Sequence, residues 1–195
     1  MSRRTEEPTR QSWLGPRLRS LGGVALGLVL GVALTLGGLA QAGKLQPPQD
    51  PEVLVALAQL LETEHLRVDL MLEQEDVGGA MKALEALTET EWPSRTLGGD
   101  ASLLLRHDLY GRLLRLRLDH PDVDPLPSER LLSLVDEGLG REWEQLDANP
   151  FTARLLGLRG EVLETLDCDD EALAAYEAAL GMNRTVLDEL MKDAP

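Results

Sequence analysis

Apolar residues follow two regimes along this chain. Residues 21–42 (LGGVALGLVLGVALTLGGLAQA) carry no charge, and only Thr35 and Gln41 are polar. From residue 51 onward, leucines recur every three or four positions between charged residues, the spacing of amphipathic helices. The first regime reaches about 33 Å as a helix, enough to cross a hydrocarbon core. It has no polar face, unlike a surface helix of a globular domain. It predicts a single N-terminal transmembrane helix. A cleavable signal peptide is the alternative, because Ala40-Gln41-Ala42 fits a small-x-small cleavage site. The run is longer than an h-region of about 7–15 residues, and a long stretch precedes it, which favours an uncleaved anchor.

The second regime predicts an all-α domain over residues 51–195. Asp50-Pro51-Glu52 has the order of an N-cap, a first-turn proline and a first-turn acid. A helix is predicted from there to about residue 75, with Leu57, Leu60, Leu61, Leu66, Val68, Met71 and Leu72 in helical spacing. Gly78-Gly79 is the expected break. Ala80, Ala83, Leu84 and Leu87 mark a second helix that ends before Trp92-Pro93. Gly98-Gly99 predicts another turn, and Asp100 can cap a third helix over 101–118. His120-Pro121 through Pro127 predicts a loop. Ser128-Glu129 opens a fourth helix reaching Trp143 and Leu146. Asn149-Pro150 starts a fifth, and Asp169-Asp170-Glu171 a sixth. Thr185 is expected to begin a short last helix. Aromatic residues make up only 3% of the chain and period-two alternation is absent, so no strand is predicted.

Charge adds topology. Five arginines (Arg3, Arg4, Arg10, Arg17, Arg19) precede the apolar run, and only Lys44 follows it closely. The positive-inside bias places the N-terminus in the cytoplasm and the body outside, periplasmic in a bacterium. Residues 1–20 are then a disordered cytoplasmic tail and 43–50, with Pro47-Pro48, an extended linker. Within the run, Gly23, Gly27 and Gly31 recur every four residues. Such a stripe lets two helices pack closely and would support a homodimer through the membrane. Gly- and Ala-rich spans also contain this spacing without pairing. The formal net charge is −15, and residues 43–195 alone hold 14 Lys+Arg against 32 Asp+Glu. That balance argues against nucleic acid as a partner. Cys168 is the only cysteine, so no internal disulfide forms. Its acidic neighbours Asp167, Asp169 and Asp170 disfavour the thiolate.

Six helices joined by short turns suggest three stacked antiparallel pairs, and the last pair carries a signature. Leu156, Gly160, Leu163, Ala172, Tyr176 and Ala179 resemble the tetratricopeptide repeat, in which small residues let paired helices approach and an aromatic fills the space between them. Arg159 and Arg184 depart from the family's leucine and proline. Val68, Met71, Ala80, Leu84 and Leu87 fit the same frame upstream, as do Tyr110, Gly111 and Leu114 in the middle. Gly111 and Gly160 lie 49 residues apart, against a period of about 34 in the family. The extra length is assigned to the loop 119–127 and a longer fourth helix. The resemblance implies a curved stack that binds peptides or protein surfaces along its first helices. By frame, that face holds His65, Asp69, Asp108, Arg112, Arg115, Arg154, Glu161 and Glu164, with a basic patch in the middle. Ion pairing among these side chains is the plainer account of any one of them.

No catalytic constellation is legible. His65, His107 and His120 have no ligand spacing, and there is no H-E-x-x-H, paired Cys or phosphate loop. Asp119, Asp122 and Asp124 lack the glycine and glutamate of a calcium loop. Asn183-Arg184-Thr185 matches a glycosylation sequon. No cofactor, metal or enzymatic activity is expected. The reading is a membrane-anchored scaffold that binds a protein or peptide outside the membrane. In layout it is similar to the ancillary subunit of the bacterial Sec translocon and to membrane-bound factors of cytochrome c maturation, which implies a role in assembly or translocation of envelope proteins. The alternative is a secreted or periplasmic binding protein freed after Ala42.

Overall fold

The periodic leucines fold into six α-helices in the computed structural model, which describes residues 51–90, 92, 93 and 95–192. They are α1 (Pro51–Glu73), α2 (Val77–Thr88), α3 (Arg95–Asp119), α4 (Ser128–Leu139), α5 (Pro150–Glu164) and α6 (Asp169–Lys192). A single 3-10 turn (Trp143–Gln145) lies between α4 and α5. The described residues contain no strand, so the chain is all-α there. No described helix is long and apolar enough to cross a membrane. The predicted span 21–42, its Gly23, Gly27 and Gly31, the tail and the linker lie outside the described residues.

The helix ends follow local chemistry. The break between α1 and α2 falls at Gln74–Asp76 rather than at the predicted Gly78-Gly79. Glu75 takes a left-handed conformation (φ 63°), and the Asp76 amide donates to the Met71 carbonyl at 2.9 Å. This closes α1 in the manner of a C-terminal Schellman turn. Asp76 then caps α2 by accepting from the Gly79 amide at 2.9 Å. Gly78 and Gly79 therefore sit in the first turn of α2. Gly99 is non-helical (φ 56°), so the regular part of α3 begins at Asp100, as the sequence predicts. Asn149 caps α5 through the Thr152 amide at 2.8 Å, with Pro150 in the first turn. Two further helix ends differ from expectation. The fourth helix stops at Leu139, because Gly140 turns left-handed (φ 67°). The extra length of the middle pair thus sits in connections and in α3, not in a longer fourth helix. Thr185 starts no new helix, because α6 runs unbroken through Gly181 to Lys192.

Helix α3 is the shared wall of two cores. Leu109, Leu113 and Leu116 pack with Leu61 and Val68 of α1 and with Ala80, Met81 and Leu84 of α2. Tyr110 and Leu114 pack with Leu131, Leu134 and Val135 of α4 and with Leu155, Leu158 and Val162 of α5. A helix buried on two sides has no single apolar stripe, which is why α3 reads weakly as an amphipathic helix. Leu163 with Ala172 and Ala175 joins α5 to α6. Helices α1, α3 and α5 pack in sequence as one row; α2 and α4 each pack against two members of it and α6 against α5.

A buried arginine fixes the long loop. Arg117, 4% exposed, reaches the carboxylate of Glu85 on α2 and bonds the Asp124 carbonyl and carboxylate at 3.1 Å each. Removing it would leave two partly exposed carboxylates unpaired and release the loop. Arg117→Ala is expected to cost about 2 kcal/mol, discounted because both acids are partly solvated. Chemical denaturation checks this. A midpoint shift no larger than that of surface Arg130→Ala would contradict it.

Candidate functional site

Spacing on α3 sets the centre of the site. Asp108, Arg112 and Arg115 recur at four and three residues, so they share one face. Asp69 of α1 approaches that face from one side and Arg154 and Glu161 of α5 from the other. Arg112 Nη2 donates to Asp69 Oδ1. Arg154 Nη1 donates to Asp108 Oδ1 at 3.3 Å. Arg115 grips both oxygens of Glu161 at 2.9 and 2.5 Å and lies 3.6 Å from Asp119. The structure thus brings together six of the eight side chains named from the repeat frame, as a ladder of ion pairs across the row α1, α3 and α5. Beside the ladder lies a hollow of about 470 Å³, lined by Leu72, Gly111, Leu116, Asp119 and the three arginines.

The other two residues are placed differently. His65 is buried beneath the ladder, with Nδ1 3.8 Å from Asp108 Oδ2, too far for a hydrogen bond. Burial, with the Arg112 charge nearby, lowers its pKa to about 4, so the ring is neutral at neutral pH. Asp108 is pushed above the usual carboxylate range by burial, against the pull of Arg154 and Arg112. Glu164 stands at the end of α5 near Tyr176, whose phenol is raised first by burial and then by the Glu164 charge. The expected basic patch is corrected in one respect. All three arginines are present, but each is paired with an acid from its own or a neighbouring helix. The face is therefore a mosaic of both signs rather than a positive field.

The signature residues of the last pair lie where two helices meet. Leu156, Leu163, Ala172 and Ala179 are buried. A methyl group at Gly160 would overlap the ring of Tyr176, so this glycine sets the approach of α5 to α6. In the middle pair the same device is reversed. Gly111 faces only the Arg154 side chain, at 3.5 Å, whereas a Cβ on Gly138 of α4 would lie 2.7 Å from Tyr110 of α3.

No family model, curated protein or solved structure matches the chain.

Two further contacts and a second hollow were not legible in the sequence. His107 bridges helices, with Nδ1 2.8 Å from Thr152 Oγ1 and Nε2 3.1 Å from the Leu139 carbonyl. A carbonyl only accepts, so Nε2 carries the hydrogen and Nδ1 accepts from Thr152. Arg159, one of the two departures from the repeat signature, bonds Asp136 of α4 at 2.9 Å. A second hollow, of about 740 Å³, opens between α4, α5 and α6, with Trp143, Leu156 and Ala178 among its lining. Pairings between residues 23 to 45 positions apart leave no local periodicity to read. Among the described residues no group of three or more His, Cys, Asp or Glu side chains is placed to hold a metal ion.

Proposed function

We propose that this chain is a non-enzymatic, membrane-anchored adaptor. A span at 21–42 holds a tetratricopeptide-like stack outside the membrane, and the face of α1, α3 and α5 receives a protein or peptide partner, in keeping with a role in assembly or translocation of envelope proteins. One observation carries the reading: three successive first helices present a continuous ladder, Asp69–Arg112, Asp108–Arg154 and Arg115–Glu161, beside an open hollow. The exposed Arg115–Glu161 pair is of a kind that adds little to stability, about 0–1 kcal/mol, and its two ends can exchange each other for charges on a bound segment. In the other two pairs Arg154 and Asp69 are the exposed ends, and Asp108 and Arg112 are largely shielded. The packing of Gly160 against Tyr176 supports the repeat resemblance, as does the burial of Leu156, Leu163, Ala172 and Ala179.

The test is crosslinking from the α3 face in native membranes. A photo-reactive residue at position 112 is expected to capture a partner in full-length chain. Arg115→Glu with Arg154→Glu should reduce that capture by about ten-fold, since two contacts across the face reverse sign. Equal capture by the doubly reversed variant would remove the face from consideration. N-terminal sequencing of the mature protein separates the two forms of the reading. An intact start keeps the anchor, and a start at Gly43 makes the domain a released periplasmic or secreted binding protein.

A further inference from the structure

The last helix is longer than the layer it packs against. Helix α5 has 15 residues and α6 has 24. The nine additional residues amount to about 14 Å of helix. Along α6, burial is confined to Ala172, Ala175 and Ala179, all in its first half. Leucines nevertheless continue at seven-residue intervals. Leu173, Leu180 and Leu187 are 58%, 49% and 55% exposed, and Leu190 and Met191 are 66% and 68% exposed. An unsupported helical segment of this length is marginal in water, and an apolar stripe on it gains nothing from solvent.

We propose that α6 packs antiparallel against α6 of a second copy of this chain. Leu173, Leu180 and Leu187 take one seam position of a heptad, and Asn183, Leu190 and the exposed part of half-buried Tyr176, whose ring otherwise packs on Gly160 of α5, take the other. Charge fixes both occupant and direction. Glu177 and Arg184 flank the leucines on the same side, both are exposed, and neither is ion-paired among the described residues. In the antiparallel register Leu173 faces Leu190 of the second copy, and Leu187 faces Tyr176. Glu177 then lies beside Arg184 of the second copy, and the two-fold axis repeats that pair. A parallel register stacks the leucines but sets Ala172 and Ala179 opposite the charges. A head-to-tail contact onto α1 would use Val55, Leu66 and Leu70, also exposed. That stripe is interrupted by Gln59 and Glu62, and a head-to-tail contact closes only at particular rotations, whereas a two-fold pair closes by itself. The five exposed apolar side chains of α6 supply on the order of 500 Å² per copy, so the pair reaches about 1,000 Å², the lower bound of a specific interface. This contact adjoins the charged face only at Tyr176, beside Glu164, and does not involve the glycine stripe at Gly23, Gly27 and Gly31.

The experiment uses the full chain in detergent with Cys168→Ser and two single-cysteine versions, Leu173→Cys and Leu190→Cys. Mixed, they are expected to crosslink at least five-fold more than Leu173→Cys alone. Glu177→Arg should reduce the mixed product by about ten-fold, and Glu177→Arg with Arg184→Glu on every chain should restore it. Because these positions are exposed, helical content by circular dichroism should be unchanged throughout. Three results overturn the proposal: no mixed product, equal product from Leu173→Cys alone, or no recovery on charge exchange. The first means the stripe pairs with something other than itself, and the second means a parallel pair or an anchor-driven dimer.

Discussion

The stability of the helical domain is expected to fall as pH drops from 6.5 to 4, and two buried histidines set the window. His107 is held to about 4 chiefly by burial. Its bond to the Leu139 carbonyl favours the protonated ring, and Arg106 opposes it. His65 is lowered to about 4 by burial and then by Arg112. In the unfolded chain both rings titrate near 6.5. Between those values the unfolded state binds protons that the folded state refuses. Their contribution is therefore complete above pH 6.5, declines through the window and is exhausted below about 4. Each histidine accounts for about 3 kcal/mol by this linkage, an order-of-magnitude figure. Asp108 works in the opposite sense. Its folded pKa is raised, so its contribution is largest in acid and is lost as pH rises through that value. Because Asp108 lies 3.8 Å from His65, it offsets part of the His65 effect, and His107 gives the cleaner signal. Urea denaturation at half-unit pH intervals measures the profile. His107→Gln should make it shallower by about half, even though the variant is less stable at pH 7. A flat profile between pH 6.5 and 4.5 in the unsubstituted chain would show that these rings are hydrated in the folded state.

What could be read from the sequence was whatever is local in sequence. Helix class, the Asp100 start, the Asn149 cap and the Pro-rich loop all follow from residues within four positions of one another. The charged face was also legible, since Asp108, Arg112 and Arg115 share a helical face by spacing alone. Their pairing was not. Whether Arg112 is free or bound to Asp69 depends on how α1 crosses α3, and no spacing encodes a crossing. The same limit placed His65 in an open groove when packing buries it. The boundary at Gly78-Gly79 was missed for a different reason. Glycine is the usual residue for a left-handed turn, yet here Glu75 adopts it while Asp76 supplies the next cap. At Thr185 the hydroxyl bonds back to the Gly181 carbonyl at 3.1 Å, an in-helix alternative to a new N-cap.

Gly138→Ala is expected to cost about 3 kcal/mol, far more than the same change at any other described helical glycine outside the α2 cap. The reason lies in what surrounds Tyr110. The added methyl would sit 2.7 Å from its Cβ and Cγ, atoms anchored to the backbone of α3. The ring is 1% exposed, its hydroxyl donates to Glu137 Oε1 at 2.8 Å, and the Arg106 guanidinium stacks 5.5 Å from its centroid. Burial and the Glu137 carboxylate push that phenol up to about 12, so the donor stays protonated across the working range. With both faces and the hydroxyl fixed, relief requires α4 to move away from α3, which opens the core of Leu114, Leu134 and Val135. Gly160→Ala meets ring carbons of Tyr176 instead. That tyrosine is only half-buried and can swing outward, so about 1 kcal/mol is expected there. Gly181 has nothing within 4 Å of a Cβ and lies inside α6, where alanine should stabilise by about 0.5–1 kcal/mol. Thermal denaturation of the three variants gives the order directly. If Gly138→Ala and Gly181→Ala shift the midpoint equally, the α3–α4 contact is loose and the close approach of the middle pair does not exist in solution.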